Sequence, residues 1–173
     1  HDIRGGFWGK RHFYTHLAVR NYNQHTVLQN LDVVRQFGIK SDNLSVDISI
    51  PEDARMFANR ILEKNGTDKT TPVVHVHPTS RWLFKCWRDE YMAAVINWLT
   101  DRGIIVIVTS APDKREMEKA KRILSFASGD SPDSTASPVN LGQSPHGSRL
   151  IDLCGKTNIK QLAAISEVSD LFF

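Results

Sequence analysis

Several features that would identify a chain quickly are scarce or missing here. There are two cysteines, Cys86 and Cys154, far apart and neither in a C-x-x-C pair. That argues against a disulfide framework. The pair reads as reduced thiols of a cytosolic protein, with a single disulfide as the alternative. No stretch approaches the roughly 18 apolar residues of a membrane-spanning helix. No signal peptide is visible, although His1 is not a natural-looking first residue and the loss of a leader stays open. There is no G-x-G-x-x-G, which disfavours a dinucleotide-type site, and no nucleophile elbow with a Ser-His-Asp order. Gly155-Lys156-Thr157 has the look of a P-loop end. That motif needs a glycine where Leu150 stands, and Leu153 and Cys154 leave no room for a phosphate cradle. We read it as a helix-capping turn. The formal charge is only +3. This mild excess fits an anionic ligand or an acidic membrane surface and is far from a nucleic-acid footprint, so no nucleic-acid partner is expected.

What is present is an ordinary soluble composition, 40% hydrophobic and 24% charged over 173 residues, enough for a sizeable core. The first 23 residues are basic and aromatic (Arg4, Phe7, Trp8, Lys10, Arg11, Phe13, Tyr14) with no clear period. They suit either a surface for an anionic acceptor or the irregular edge of a domain whose larger part lies elsewhere. A helix is expected from Thr26, with Thr26 and Gln29 as a capping box, an apolar face of Val27, Leu28, Leu31, Val34 and Phe37, and Gly38 as the stop. The alternation Leu44, Val46, Ile48, Ile50 could be a strand. A second helix is expected to start at Ser49, with Pro51 in its first turn and Glu52 at the capping-box position. Ala54, Phe57, Ala58, Ile61 and Leu62 face inward, and Gly66 ends it. A domain boundary falls between residues 39 and 50, which we set as 1–45 and 46–173.

Strand and helix then alternate. Val73 to His77 is a strand. A helix from about Trp87 to Arg102 buries Tyr91, Met92, Val95, Ile96 and Leu99, and Gly103 closes it. Ile104 to Thr109 is a continuous β-branched run, the mark of a central parallel strand covered on both faces. Pro112 and Asp113 open a helix that buries Met117, Ala120, Ile123 and Leu124. Ser125 to Ser148, rich in Ser, Pro, Gly and Asp, is expected to be a mobile loop. Leu150 to Leu153 is a short strand, Thr157 caps a helix carrying Leu162, Ala163 and Ile165, and Leu171-Phe172-Phe173 reads as the start of another buried strand. A strand at the chain's end suggests a fragment. This alternation means an α/β fold with a parallel, doubly wound, Rossmann-like sheet.

The stretch His75 to Trp87 stands at the centre of that pattern. In open α/β sheets, ligands bind outside the carboxyl ends of the strands. Here the turn carries two hydroxyls, Thr79 and Ser80, two cations, Arg81 and Lys85, and the aromatics Trp82, Phe84 and Trp87. Cations, hydroxyls and helix-start N–H groups suit a phosphate. We take Thr79, Ser80, Arg81 and Lys85 as candidate phosphate ligands, beside the plainer explanation that loops facing water carry cations anyway. Glu116, one turn inside the following helix, is placed to accept from a ribose diol. Asp113 is the alternative, and a helix N-terminal charge is the plainer explanation for both. His75 and His77 lie two apart on a strand and share a face. With Cys86 they could hold a metal, but no fourth ligand supports it, and no metal is expected. A methyltransferase would want an acidic residue after the second strand, where this chain has Thr109-Ser110.

These residues carry a resemblance. HPTSRWLFKCW (77–87) resembles the donor-site loop of the ADP-heptose:lipopolysaccharide heptosyltransferases, two-domain glycosyltransferases of family 9 with the GT-B architecture. Thr109 to Asp113 resembles that family's second strand-to-helix turn, and Leu150 to Thr157 its next block. Tyr14-Thr15-His16, His25-Thr26-Val27 and Asn30-Leu31 look like the end of its N-terminal domain. Phe-Lys-Cys-Trp is closest to the heptosyltransferase III branch. The resemblance covers nearly the whole chain except the Ser/Pro-rich loop. It implies that residues 1–45 end an N-terminal, acceptor-side domain and that 46–173 begin a C-terminal, nucleotide-sugar-binding domain. The family's catalytic Asp, on early N-terminal strands, and its Gly-x-Asp-Ser/Thr-x-Pro-x-His motif, after the Leu-Phe-Phe strand, are absent here. No catalytic residue is therefore assigned, and the fragment alone is expected to be inactive.

The implied reaction is inverting transfer of heptose from ADP-heptose to the lipopolysaccharide inner core, at the cytoplasmic side of the inner membrane, in peripheral contact with it and without a cofactor. The implied roles are diphosphate neutralisation for Lys85 with Arg81, phosphate hydrogen bonds for Thr79 and Ser80, and ribose binding for Glu116. The alternative is a non-catalytic nucleotide-binding or interaction module on the same sheet.

Overall fold

The computed structural model describes residues 2–68, 70–128 and 149–173. The chain divides into two compact units, His1–Asp47 and Ile48–Phe173.

In the first unit, β1 (Gly5–Phe7) and β2 (His16–Ala18) pair in parallel, Gly6 opposite Leu17, on either side of a 3-10 helix at Trp8–Phe13. Helix α1 (Thr26–Arg35) packs beside them, and Gly5 and Gly6 are needed there. A Cβ on Gly5 would come within 2.6 Å of the Phe37 ring, and one on Gly6 within 2.4 Å of Tyr14. The expected Thr26 cap is corrected: the N-cap is His25, whose Nδ1 accepts from the Val27 N–H, and the Gln29 side chain donates to the Gln24 carbonyl. Phe37 and Gly38 follow as expected, Gly38 at φ +76°. The alternation from Leu44 to Ile50 forms no strand. Leu44, Val46 and Ile48 are exposed, so their period has no sheet to join.

The second unit is the parallel sheet. Its strands are β3 (Val73–Val76), β4 (Ile105–Val108), β5 (Leu150–Asp152) and β6 (Leu171–Phe172), in spatial order β5-β4-β3-β6. All three pairings are parallel. Helices α2 (Glu52–Lys64), α3 (Asp89–Asp101), α4 (Lys114–Ala127) and α5 (Ile159–Glu167) cover it. Strand side chains alternate between the two faces. Val74, Val76, Val106 and Val108 pack with Met92, Ile96, Leu99, Ala120 and Ile123 of α3 and α4. Val73, Ile105, Ile107 and Ile151 pack with Ala54, Ala58, Ala164 and Ile165 of α2 and α5. Both faces being covered explains why IIVIVT has no polar alternation. Burying each of Ile96, Ile107, Ile123 and Ile165 completely contributes about 1.5–3 kcal/mol. Arg55 clamps α2 to α5 with two bonds to the Glu167 carboxylate, at 2.8 and 2.9 Å.

The expected α/β parallel sheet is thus the observed one, with local corrections. Pro51, not Ser49, caps α2, and no side chain bonds there. Helix α3 starts at Asp89, after a 3-10 turn at Leu83–Lys85. Tyr91 and Met117 are exposed rather than inward, because α3 and α4 fill the contact with smaller or differently phased residues such as Ala93 and Ala120. Helix α4 continues to Ala127, so the expected loop begins later than Ser125. Its remainder, 129–148, lies outside the described residues. The α5 cap is Asn158, not Thr157, and forms a full capping box with Gln161. Leu171-Phe172 does form a strand, hydrogen-bonded to β3, but its side chains are exposed because it is the edge of the described sheet.

One polar side chain lies inside the α2/α5 side of the sheet. His75, opposite Ile107 in register, is 0% exposed. Its Nδ1 lies 2.9 Å from Ser166 Oγ on α5 and its Nε2 2.7 Å from Thr109 Oγ1 at the end of β4. Burial, with the neighbouring His77 adding, lowers its pKa from 6.5 to about 4.

Two predictions follow from these contacts. Asn158→Ala removes the side-chain acceptor for two helix N–H groups and is expected to cost about 0.5–2 kcal/mol, whereas Thr157→Ala should cost less than about 0.5 kcal/mol. Urea denaturation of both variants measures the contrast, and equal losses would contradict the cap. The second concerns pH. The folded His75 resists protonation, so the unfolded chain binds the proton more tightly. The contribution is complete above pH 6.5 and is lost as pH falls towards 4. Unfolding free energy should drop by up to about 3 kcal/mol across that window. A flat profile there would contradict a neutral, buried His75.

Candidate functional site at the carboxyl ends of β3 and β4

Taken in chain order, β3 is the sheet's first strand, and β4 and β5 step away from it on one side. β6 then returns to its other side. Winding reverses between β3 and β6, which is where open α/β sheets bind ligands. The main chain marks the point: Phe173 N–H donates to His75 O at 2.8 Å and His77 N–H to Phe173 O at 2.9 Å. The loop leaving β3 there holds four of the six candidate residues.

That loop is fixed at both ends. At its start, His77 Nδ1 lies 2.8 Å from Thr109 Oγ1, so one hydroxyl bridges two imidazoles. At its end, Lys119 of α4 donates to the Trp87 carbonyl at 3.0 Å and pairs with Asp89, which Arg122 also contacts at 2.9 Å. Burial acts to raise the Asp89 carboxyl, but the Lys119 and Arg122 bonds outweigh it and hold the group below its ordinary value. Lys119 is itself buried.

Between these anchors the candidates separate into two groups. Thr79 and Glu116, both buried, are brought together: Thr79 Oγ1 donates to Glu116 Oε2 at 2.8 Å. The Thr79 proton is therefore already placed rather than free for a phosphate. Glu116 Oε1 has no partner among the described residues and, in a side chain that is otherwise buried, is not fully enclosed. Asp113 is the N-cap of α4, its Oδ1 accepting from the N–H groups of Arg115 and Glu116 at 3.0 and 3.3 Å. It aims the Glu116 turn rather than joining Thr79. Ser80, Arg81 and Lys85 lie on the outer part of the loop. Ser80 Oγ accepts from the Trp82 N–H at 3.3 Å, and Arg81 and Lys85 lie 5.9 and 6.0 Å from the ring centres of Trp82 and Phe84. Both cations are exposed, and neither has a carboxylate partner among the described residues.

His77 is half-buried and its pKa is lowered by burial, against an opposing pull from the Glu116 charge. No three His, Cys, Asp or Glu side chains among the described residues come together as a metal site. Thr109, rather than a metal ligand, stands between the two histidines. Cys86 and Cys154 are both free thiols. Burial, helped by Asp152, pushes Cys154 up to about 12, so it stays protonated. A shallow apolar groove of about 430 Å³ runs along the outer side of α3 between Trp87, Tyr91 and Trp98, and none of the six candidates lines it. No helix among the described residues is long and apolar enough to cross a membrane.

Sequence reading missed Thr109, Ser166 and Lys119. The signal for Thr109 was there: a lone hydroxyl closes an otherwise aliphatic run, and aligning β3 with β4 places it opposite His77. Nothing local marks Ser166 or Lys119, whose partners are 91 and 30 residues away.

Comparison with known proteins agrees with this architecture. The description "Glycosyltransferase family 9 (heptosyltransferase)" matches residues 2–173. The chain is 30% identical over 172 residues to lipopolysaccharide heptosyltransferase 3 of Escherichia coli, covering 99% of this chain and 44% of that protein. It is 28% identical over 167 residues to the protein of that name from E. coli strain K12, covering 96% and 42%. The chain thus spans less than half the length of the curated relatives it matches. Among solved structures, a family 9 glycosyl transferase from Veillonella parvula superposes with a TM-score of 0.69 at 18% identity, covering 94% of this chain and 41% of that one. The E. coli ADP-heptose lps heptosyltransferase II gives 0.51 at 14%, covering 77% and 35%. These two likenesses bear on the fold, and the match across residues 2–173 on the family: the chain belongs to glycosyltransferase family 9, the heptosyltransferases.

Proposed function

We propose that this chain is the donor-binding part of an inverting lipopolysaccharide heptosyltransferase of type III, which uses ADP-heptose. Residues 1–45 end its acceptor-side domain, and 46–173 begin its nucleotide-sugar domain. The observation that carries the reading is the pair of exposed cations, Arg81 and Lys85, without a carboxylate partner among the described residues, on a loop anchored at the point where the sheet's winding reverses. As the sugar–phosphate bond breaks, negative charge grows on the departing diphosphate. A cation held where charge develops is a large catalytic contribution.

Lys85 meets that charge, with Arg81 beside it. Ser80 and the Thr79 hydroxyl donate to phosphate oxygens, Thr79 after giving up its bond to Glu116. Glu116 turns its open Oε1 to the ribose hydroxyls, in an orientation set by the Asp113 cap. The acceptor heptose hydroxyl attacks the anomeric carbon from the opposite side, its proton taken by a carboxylate outside these 173 residues, and ADP leaves. The basic, aromatic residues 4–14 bind the phosphorylated core. The enzyme works at the cytoplasmic face of the inner membrane, in peripheral contact with it, and this half needs neither metal nor cofactor.

Calorimetric titration of ADP into the protein tests the reading. Saturable binding is expected, weakened by roughly 1–3 kcal/mol in Lys85→Ala. Glu116→Gln should weaken ADP more than it weakens inorganic pyrophosphate, which has no ribose. Absence of ADP binding by a chain shown to be folded would overturn the donor-site assignment.

A further inference from the structure

The hydrogen bonds around β3 fix more than the position of His77. Ser166 Oγ lies 3.2 Å from the Leu162 carbonyl, which only accepts; with the hydroxyl proton placed there, His75 Nδ1 carries the proton shared with Ser166 at 2.9 Å. His75 Nε2 is then a bare lone pair, and the Thr109 hydroxyl donates to it at 2.7 Å. Thr109 Oγ1 has no second proton, so at 2.8 Å it accepts from His77 Nδ1–H. Four groups in series therefore set one tautomer of His77, with its proton inward and Nε2 unprotonated. No described residue bonds that Nε2, and it is not enclosed, so it opens to solvent where winding reverses between β3 and β6.

We infer that His77 contacts the diphosphate of the nucleotide donor, its Nε2 taking up a proton from solvent and donating it as a charged hydrogen bond when the anion binds. This rests on the donor-site reading above. Protonation at Nε2 needs no rearrangement, because Nδ1–H keeps its bond to Thr109 in both states. Among the described residues, the ionisable groups near the ring are few. On its own strand there is His75, which is buried and neutral. From α4 there is Glu116, whose charge favours the imidazolium but whose Oε2 is already bonded to Thr79. From β6 the contact is the main chain of Phe173. Burial lowers the proton affinity of His77 in the free protein. An arriving diphosphate supplies the counter-charge that the empty site lacks, and so raises its proton affinity.

The test uses the protein itself, with ADP as the probe. Long-range nitrogen–proton spectra of the imidazoles should show the Nδ1–H tautomer at His77 in the free protein, and a His77 titration that moves to higher pH when ADP is added. Calorimetry in buffers of different ionisation enthalpy should show more proton uptake by the wild type than by His77→Gln. The glutamine keeps an uncharged donor near the Nε2 position, and the difference removes the contribution of ADP's own phosphate. Affinity at pH 6.5 should fall roughly ten-fold or more in His77→Asn, which keeps only the inward donor, and less in His77→Gln. If ADP binds and depends on Lys85, but the His77 titration and proton uptake do not change, the His77 assignment is wrong and the donor site stands. If ADP does not bind at all, both fall. An Nε2–H tautomer in the free protein would overturn the relay directly.

Discussion

The larger unit depends on covering two parallel strands, Val73–Val76 and Ile105–Val108, from both sides at once. All eight residues of their four consecutive pairs are buried, so the backbone ladder between them has no competing water and no freedom to slip. A register shift by one residue would exchange the two faces and drive His75 into the valine-rich side under α3 and α4. Register therefore has a polar check as well as an apolar one. Ser166 and Thr109 can satisfy the His75 imidazole in one alignment only, and an unsatisfied imidazole in that core would cost several kcal/mol. The same register puts Thr109 beside His77. The interaction that aligns the core thus also orients the first residue of the loop leaving β3.

This connection shows how little the loop itself has to do. From Pro78 to Arg88 it has one short 3-10 turn and no regular structure otherwise. Its position comes from His77 at one end and the Lys119–Asp89–Arg122 cluster at the other, and both anchors belong to the sheet and its covering helices. A loop held in this way can keep exposed cations in place without pairing them, whereas a freely moving one would fold its arginine and lysine onto nearby carboxylates. The rings of Trp82 and Phe84 lie 5.9 and 6.0 Å from those cations, at the outer limit of a cation–π contact, and leave their charge in place.

The sequence made the architecture legible because the apolar pattern is a direct readout of burial. IIVIVT could only be a strand covered twice, and the glycines at 66 and 103 sit at positive φ at the ends of α2 and α3. Capping was less legible. At three helix starts the expected residue lies one or two positions from the true cap, because Thr26, Ser49 and Thr157 have suitable neighbours in His25, Pro51 and Asn158, and a difference of one residue leaves no trace in periodicity. Tyr91 and Met117 illustrate a different limit. Each falls on the edge of a helical stripe, and which edge is buried depends on the angle at which the neighbouring helix packs. At the site, residue types were legible but connections were not. Thr79 and Glu116 were each picked out for a ligand, yet their bond to one another, across 37 residues, needed the fold to appear.

Charge pairing separates the two kinds of basic residue in this unit. Lys119 is buried, and it would be expensive to desolvate without Asp89 and the Trp87 carbonyl. Its charge is consumed by structure, and replacing it would strand Asp89. Lys85 and Arg81 are solvated, so they add nothing to stability by desolvation and lose nothing by lacking a carboxylate. What they do add is a positive potential that nearby carboxylates leave intact. Glu116 is close enough to His77 to influence it, yet Glu116 Oε2 is engaged by Thr79 and its backbone is held by Asp113. Neither contact involves Lys85 or Arg81. A loop that paired Lys85 with Glu116 would cancel those two charges against each other. Placing Thr79 against the carboxylate occupies it with a neutral hydrogen-bond donor instead.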